Sequence, residues 1–152
     1  MRKIIIKIVL FFAVVVAASV NAQDTKIESV EYVSQPSPGI MQVRATGYGK
    51  KTEACIEEAE KNAFRSLLFR GVAGSPVSSP LIPGDVIGTN MDHKTQAFFD
   101  DEVYKKFITH ITQFSKKERT KFGKRVVMDM NIDYKSLIAY FEQTGVIRKF
   151  GY

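Results

Sequence analysis

Residues 40–70, IMQVRATGYGKKTEACIEEAEKNAFRSLLFR, change their apolar period partway along, and that change decides the fold class. From Ile40 to Tyr48, Met41, Val43 and Ala45 alternate with Gln42, Arg44 and Thr46, the period of a strand with one buried face. From Thr52 to Arg70 the period becomes helical. Thr52 is placed to cap, Glu53, Glu57 and Glu58 favour the N-terminal half, and Arg65 and Arg70 favour the C-terminal end. Ile56, Ala59, Ala63 and Leu67 then form one stripe, whose two alanines let a helix lie close across a sheet. Gly71 is the expected stop.

Upstream, residues 26–33 (KIESVEYV) predict a first strand, and Gln35-Pro36-Ser37-Pro38-Gly39 predicts the turn that folds it back as a hairpin. Downstream, residues 71–90 hold four Gly, three Pro and three Ser, which excludes a regular element and predicts a long loop, extending over 71–97. Val72, Val77, Leu81, Ile82, Val86 and Ile87 are dispersed through it, so the loop is expected to pack on the body. A short helix is predicted over 96–106, then strands over 107–118 and 124–134 joined around Phe122-Gly123. The second of these strands alternates Val126, Met128, Met130 and Ile132 with Val127, Asp129, Asn131 and Asp133. A closing helix over 135–143 points Leu137, Ile138 and Phe141 inward and stops at Gly145. Strands arriving in hairpins, with helices between and after them, predict an α+β fold of two layers: a mainly antiparallel sheet with helices packed on one face.

The N-terminus reads differently. Arg2, Lys3 and Lys7 precede an uncharged apolar run from Ile8 to Ala18, and Ser19-Val20-Asn21-Ala22 then supplies small residues where a signal peptidase reads them. The run is shorter than the roughly 20 apolar residues of a membrane span. Residues 1–22 are therefore expected to be a cleavable signal peptide of bacterial style, and residues 23–152 one α+β domain. Cys55 is the only cysteine, so no intramolecular disulfide can form and none stands at the cleavage site to receive lipid. The expected product is periplasmic or secreted, and not a lipoprotein. Without residues 1–22 the chain keeps 19 basic and 16 acidic residues, a net charge of +3 against the full chain's +6.

Several constellations invite a chemical reading. Gly47-Tyr48-Gly49-Lys50-Lys51-Thr52 lies between strand and helix, where phosphate loops occur, but a P-loop needs glycine at Arg44 and a dinucleotide fingerprint needs it at Thr52. These glycines are instead expected to turn the chain from strand into helix. Cys55 with His93 or His110 would make a thiol dyad or a small hydrolytic enzyme, against a buried structural cysteine. Asp92, His93, Asp100, Asp101 and Glu102 gather possible ligand atoms at a spacing that matches no metal motif. No G-x-S-x-G, H-E-x-x-H or calcium-loop pattern occurs, so no catalytic residue, cofactor or metal is assigned.

The charge distribution is the strongest functional signal. Lys116, Lys117, Arg119, Lys121, Lys124 and Arg125 stand against Glu118 alone within ten positions, a local charge of +5 that leaves −2 for the rest of the processed chain. Two readings fit this hairpin tip: an anionic partner such as a membrane surface, lipopolysaccharide, peptidoglycan or an acidic protein, or a solvated tip whose lysines discourage edge pairing. Nucleic acid is not among the expected partners.

Val43 to Leu68, VRATGYGKKTEACIEEAEKNAFRSLL, resembles the domain shared by LPP20-type envelope lipoproteins and the N-terminal part of flagellar assembly protein T. In those families a strand ending in A-x-G-x-G leads to a helix with spaced alanines. Ala45, Gly47, Gly49, Ala54, Ala59, Ala63 and Arg65 stand in the corresponding places. The resemblance implies an α+β envelope module that acts through protein contacts and has no catalytic residues to carry over. The expected function is a non-enzymatic envelope or secreted binding and assembly module. A subunit of a surface assembly, using Phe150-Gly151-Tyr152 as its contact, is the alternative alongside the thiol or hydrolytic enzyme.

Overall fold

Strand β1 (Val30–Ser37) turns through Pro38-Gly39 into β2 (Ile40–Gly49), and helix α1 (Thr52–Phe69) follows after two residues. Helix α2 (His93–Asp100), a 3₁₀ turn (Val103–Phe107), β3 (Ile108–Gln113), β4 (Glu118–Thr120), β5 (Gly123–Asp133) and helix α3 (Tyr134–Gln143) complete the order. This is a computed structural model, and it describes residues 26, 28–82 and 93–147. The expected signal peptide, Val86, Ile87, Asp92 and the Phe150-Gly151-Tyr152 tail lie outside those residues.

The fold is α+β. Its sheet runs β1-β2-β5-β3, entirely antiparallel, with β4 pairing onto β5 as well. The two longest strands, β2 and β5, lie side by side at the centre in continuous register from Ile40 opposite Asp133 to Gly49 opposite Lys124. Met41, Val43, Ala45 and Gly47 therefore face the same way as Ile132, Met130, Met128 and Val126. That shared apolar face is the floor of the core. α1 covers it with Cys55, Ala59, Ala63, Phe64, Leu67 and Leu68, and the two later helices contribute Phe98, Phe99, Leu137 and Phe141 to the same cluster. The opposite face carries Gln42, Arg44, Asp129, Asn131, His110 and Thr112.

Several elements differ from their sequence-based bounds for identifiable reasons. β1 begins at Val30 and runs through Gln35-Pro36-Ser37, placing the turn at Pro38-Gly39 alone. Pro36 is tolerated because β1 is an edge strand, where a missing donor costs no ladder bond, and the register shifts twice between Tyr32 and Ser37. Gly39 takes φ 92°, which the second central position of such a turn requires. Thr52 is the first helical residue rather than the cap; Lys51 holds the cap position and makes no side-chain capping bond. The buried stripe of α1 runs through Cys55, Ala59, Asn62 and Ala63, with Ile56 only half-buried. Asn62 is accommodated because its amide donates to the Thr46 carbonyl at 3.0 Å.

Gly47 and Gly49 belong to β2 and make no turn. A Cβ on Gly47 would meet the Cys55 carbonyl oxygen at 1.9 Å and the Ala59 nitrogen at 2.5 Å, so the glycine exists to let α1 lie on the strand. Over its described residues 71–82, the loop packs on the body: Val72 and Val77 are buried, and Leu81 and Ile82 donate backbone N–H bonds to the carbonyls of Leu67 and Leu68. Helix α2 begins at His93, so residues 93–97 of the expected loop are helical, and the single expected helix over 96–106 divides at Glu102, which has φ 54°. The strand expected over 107–118 is likewise broken. Phe107 belongs to the 3₁₀ turn, and residues 114–117 leave the ladder between β3 and β4.

Candidate functional site

The end of the sheet where β2 stops and β5 starts gathers the basic residues. Gly49 lies opposite Lys124, and Gly123 approaches the Gly49 carbonyl so closely that a Cβ on it would sit 2.8 Å from that oxygen. Lys50 and Lys51, which leave β2 at this point, therefore stand beside the β4–β5 hairpin. Eight basic residues share this end: Lys50, Lys51, Lys116, Lys117, Arg119, Lys121, Lys124 and Arg125.

They are not equivalent. Arg125 is already engaged, its guanidinium 2.9 Å from Glu118, and its Nε is buried without a partner among the described residues. Lys121 holds its ammonium 5.1 Å from the centre of the Phe122 ring. Arg119 sits directly opposite Lys124 in the β4–β5 ladder, a like-charged cross-strand pair, and such pairs are destabilising. Among the described residues neither has an ion-pair partner within 4.0 Å, nor do Lys50, Lys51, Lys116 or Lys117. α1 also starts here, so the positive end of its macrodipole and its uncapped first turn add to the same field.

Cys55 forms the base of this end. Its thiol has the carbonyls of Lys51, Lys124 and Gly49 at 3.1, 3.3 and 3.7 Å, one hydrogen facing acceptors on the β2–α1 connection, β5 and β2. Burial pushes the thiol's pKa up, and the nearby Lys124 and Lys117 only partly oppose that. Neither histidine accompanies it. His110 lies on the other face of the sheet opposite Asn131, seven positions along β5 from Lys124, or about 23 Å of strand. His93 opens α2 and is exposed. His93, Asp100, Asp101 and Glu102 make no metal site either: among the described residues no group of three or more His, Cys, Asp or Glu side chains could hold an ion, and Glu102 pairs with Lys105 at 2.8 Å.

On the open face of the sheet Arg44 is clamped. Its Nε and Nη2 donate to the two carboxylate oxygens of Asp129 at 2.7 and 2.9 Å, and Phe114 lies over its guanidinium 3.3 Å from ring centre to Cζ. The hydrogen bonds to Asp129 raise the Arg44 pKa further, keeping it charged. Phe114 is the first residue of the break between β3 and β4, so this stack fixes the start of the segment that carries Lys116 and Lys117.

Sequence reading located the hairpin cluster and overlooked Lys50 and Lys51. The available signal was the same GKK triplet that fails as a phosphate loop. Its value depends on the β2–β5 register, which joins residues far apart in the chain. Comparison of the chain with protein-family models, with curated proteins and with solved structures returns no match.

Proposed function

We propose that the chain is an exported, non-enzymatic binding or assembly module of the cell envelope, which holds an anionic partner against the basic end of its sheet. The observation that carries the reading is the in-register opposition of Arg119 and Lys124, with Lys50 and Lys51 alongside and no carboxylate pairing with any of the four among the described residues. A fold gains nothing internally from such an arrangement, whereas an anion bound there relieves the repulsion. The envelope setting rests on the signal-like residues 1–22 and on the resemblance carried by residues 43–68.

The test reverses charge where no ion pair or side-chain hydrogen bond among the described residues is lost. Lys50→Glu, Lys117→Glu and Lys121→Glu in one protein should leave the circular dichroism spectrum and melting curve close to those of the parent, because exposed substitutions each change stability by about 0.5 kcal/mol or less. Retention by anionic vesicles or by polyphosphate should fall sharply. It should also fall for the parent as salt rises from about 0.01 to 0.15 M and the Debye length shrinks from about 30 to 8 Å. Retention that is indifferent to both the charge reversal and the salt would remove the basic end as the binding surface.

A further inference from the structure

Resting on that reading, we infer that the anionic partner is a lipid surface, and that Phe122 enters its interfacial layer while the surrounding lysines contact the headgroups. Thr120 pairs with Gly123, so Lys121-Phe122 is the two-residue connection at the very tip of the β4–β5 hairpin. The tip is held in shape. The Thr120 hydroxyl donates to the Gly123 carbonyl at 3.0 Å and accepts from the Phe122 N–H at 3.2 Å, while Gly123 takes φ 107°. Beside the ring stands Tyr48, edge-on at 6.2 Å, and Phe122 still remains 41% exposed.

A large apolar ring at the apex of a hydrogen-bonded turn, with Lys121 over it and Lys50, Lys51, Lys116, Lys117 and Lys124 at the same end of the sheet, matches the layered chemistry of a bilayer boundary. Aromatic rings settle at headgroup depth, and lysines on either side meet anionic phosphates. A soluble polyanion satisfies only the lysines and leaves the ring in water. The contact inferred is a peripheral one made by the hairpin tip; no helix among the described residues is long and apolar enough to cross a membrane.

The chain contains no tryptophan, which makes Phe122→Trp a single reporter at the position in question. With vesicles containing phosphatidylglycerol, its emission should move to the blue and be quenched by brominated acyl chains. Pure phosphatidylcholine vesicles should produce neither effect, and polyphosphate should bind without shifting the emission. Phe122→Ser, otherwise native, should weaken binding to the anionic vesicles roughly tenfold, the loss expected for one buried aromatic ring, while leaving polyphosphate binding unchanged. Anionic-vesicle binding with an unshifted, unquenched tryptophan overturns the inference, as does binding to polyphosphate alone; both leave the anionic-partner reading standing. Failure to bind either probe overturns both.

Discussion

Tyr104 is wholly buried among Phe64, Phe98 and Phe99, with ring centres 5.6, 6.3 and 6.1 Å away, yet its hydroxyl has no hydrogen-bond partner among the described residues. Burial, reinforced by Glu60, Glu102 and Glu57, pushes its pKa well above that of an ordinary tyrosine, so the group stays neutral. A buried hydroxyl left unsatisfied costs about 1 kcal/mol or more. Tyr104→Phe should therefore be stabilising by about 1 kcal/mol in urea denaturation, and a loss of stability would mean that the hydroxyl has a partner. Cys55 presents the opposite case, a polar hydrogen with three acceptors in reach and no exposure to solvent. Its thiol should react slowly with a neutral-pH alkylating reagent in the native protein and fast once unfolded, followed by mass spectrometry. Fast native labelling would restore a thiol chemistry that this geometry does not favour. That Cys55 is buried follows from the helical pattern, since it precedes Ala59 by one turn. Its three carbonyl neighbours do not, because two of them, Gly49 and Lys124, lie on the strands β2 and β5.

At the scale of elements, the contact between β2 and α1 is set by Gly47. Alanine there would drive a methyl group into the Cys55 carbonyl and the Ala59 nitrogen, backbone atoms that cannot rotate away. Gly47→Ala should cost about 3 kcal/mol, the upper range for overpacking, whereas Gly145→Ala should cost about 1 kcal/mol. Gly145 has φ 73° with nothing within 4 Å, so it carries only the conformational term. A similar loss for both variants in thermal denaturation would mean that the β2–α1 contact is looser than described. The strand-to-helix switch over residues 40–70 was legible because side-chain periods of 2 and 3.6 differ so plainly there. The role of its glycines was not, because a glycine that serves a turn and one that serves close approach look alike in sequence. The break at 114–117 was hidden for a related reason. Alternation reports which way side chains point, and the break is a backbone event in which the Phe114 and Ser115 N–H groups both reach the Val127 carbonyl.

At the scale of the molecule, one apolar face of the sheet takes the three helices of the described residues, and eight basic residues collect at one end of the two central strands. The two-layer architecture could be anticipated from hairpins alternating with amphipathic segments. The full extent of the basic end could not, because nothing local to Lys50 and Lys51 announces that β5 starts beside them. That adjacency also has a kinetic side. Partners across β2 and β5 stand between 75 positions apart, for Gly49 with Lys124, and 93 apart, for Ile40 with Asp133. Ribosomes deliver the N-terminal residues first, so β1, β2 and α1 emerge as a hairpin and helix whose Met41, Val43 and Ala45 row lacks its neighbouring strand. The local hairpin can close within microseconds, but the central seam forms only after residues 123–133 have been made. Until then the nascent chain is an unfinished sheet, open along what will become its middle.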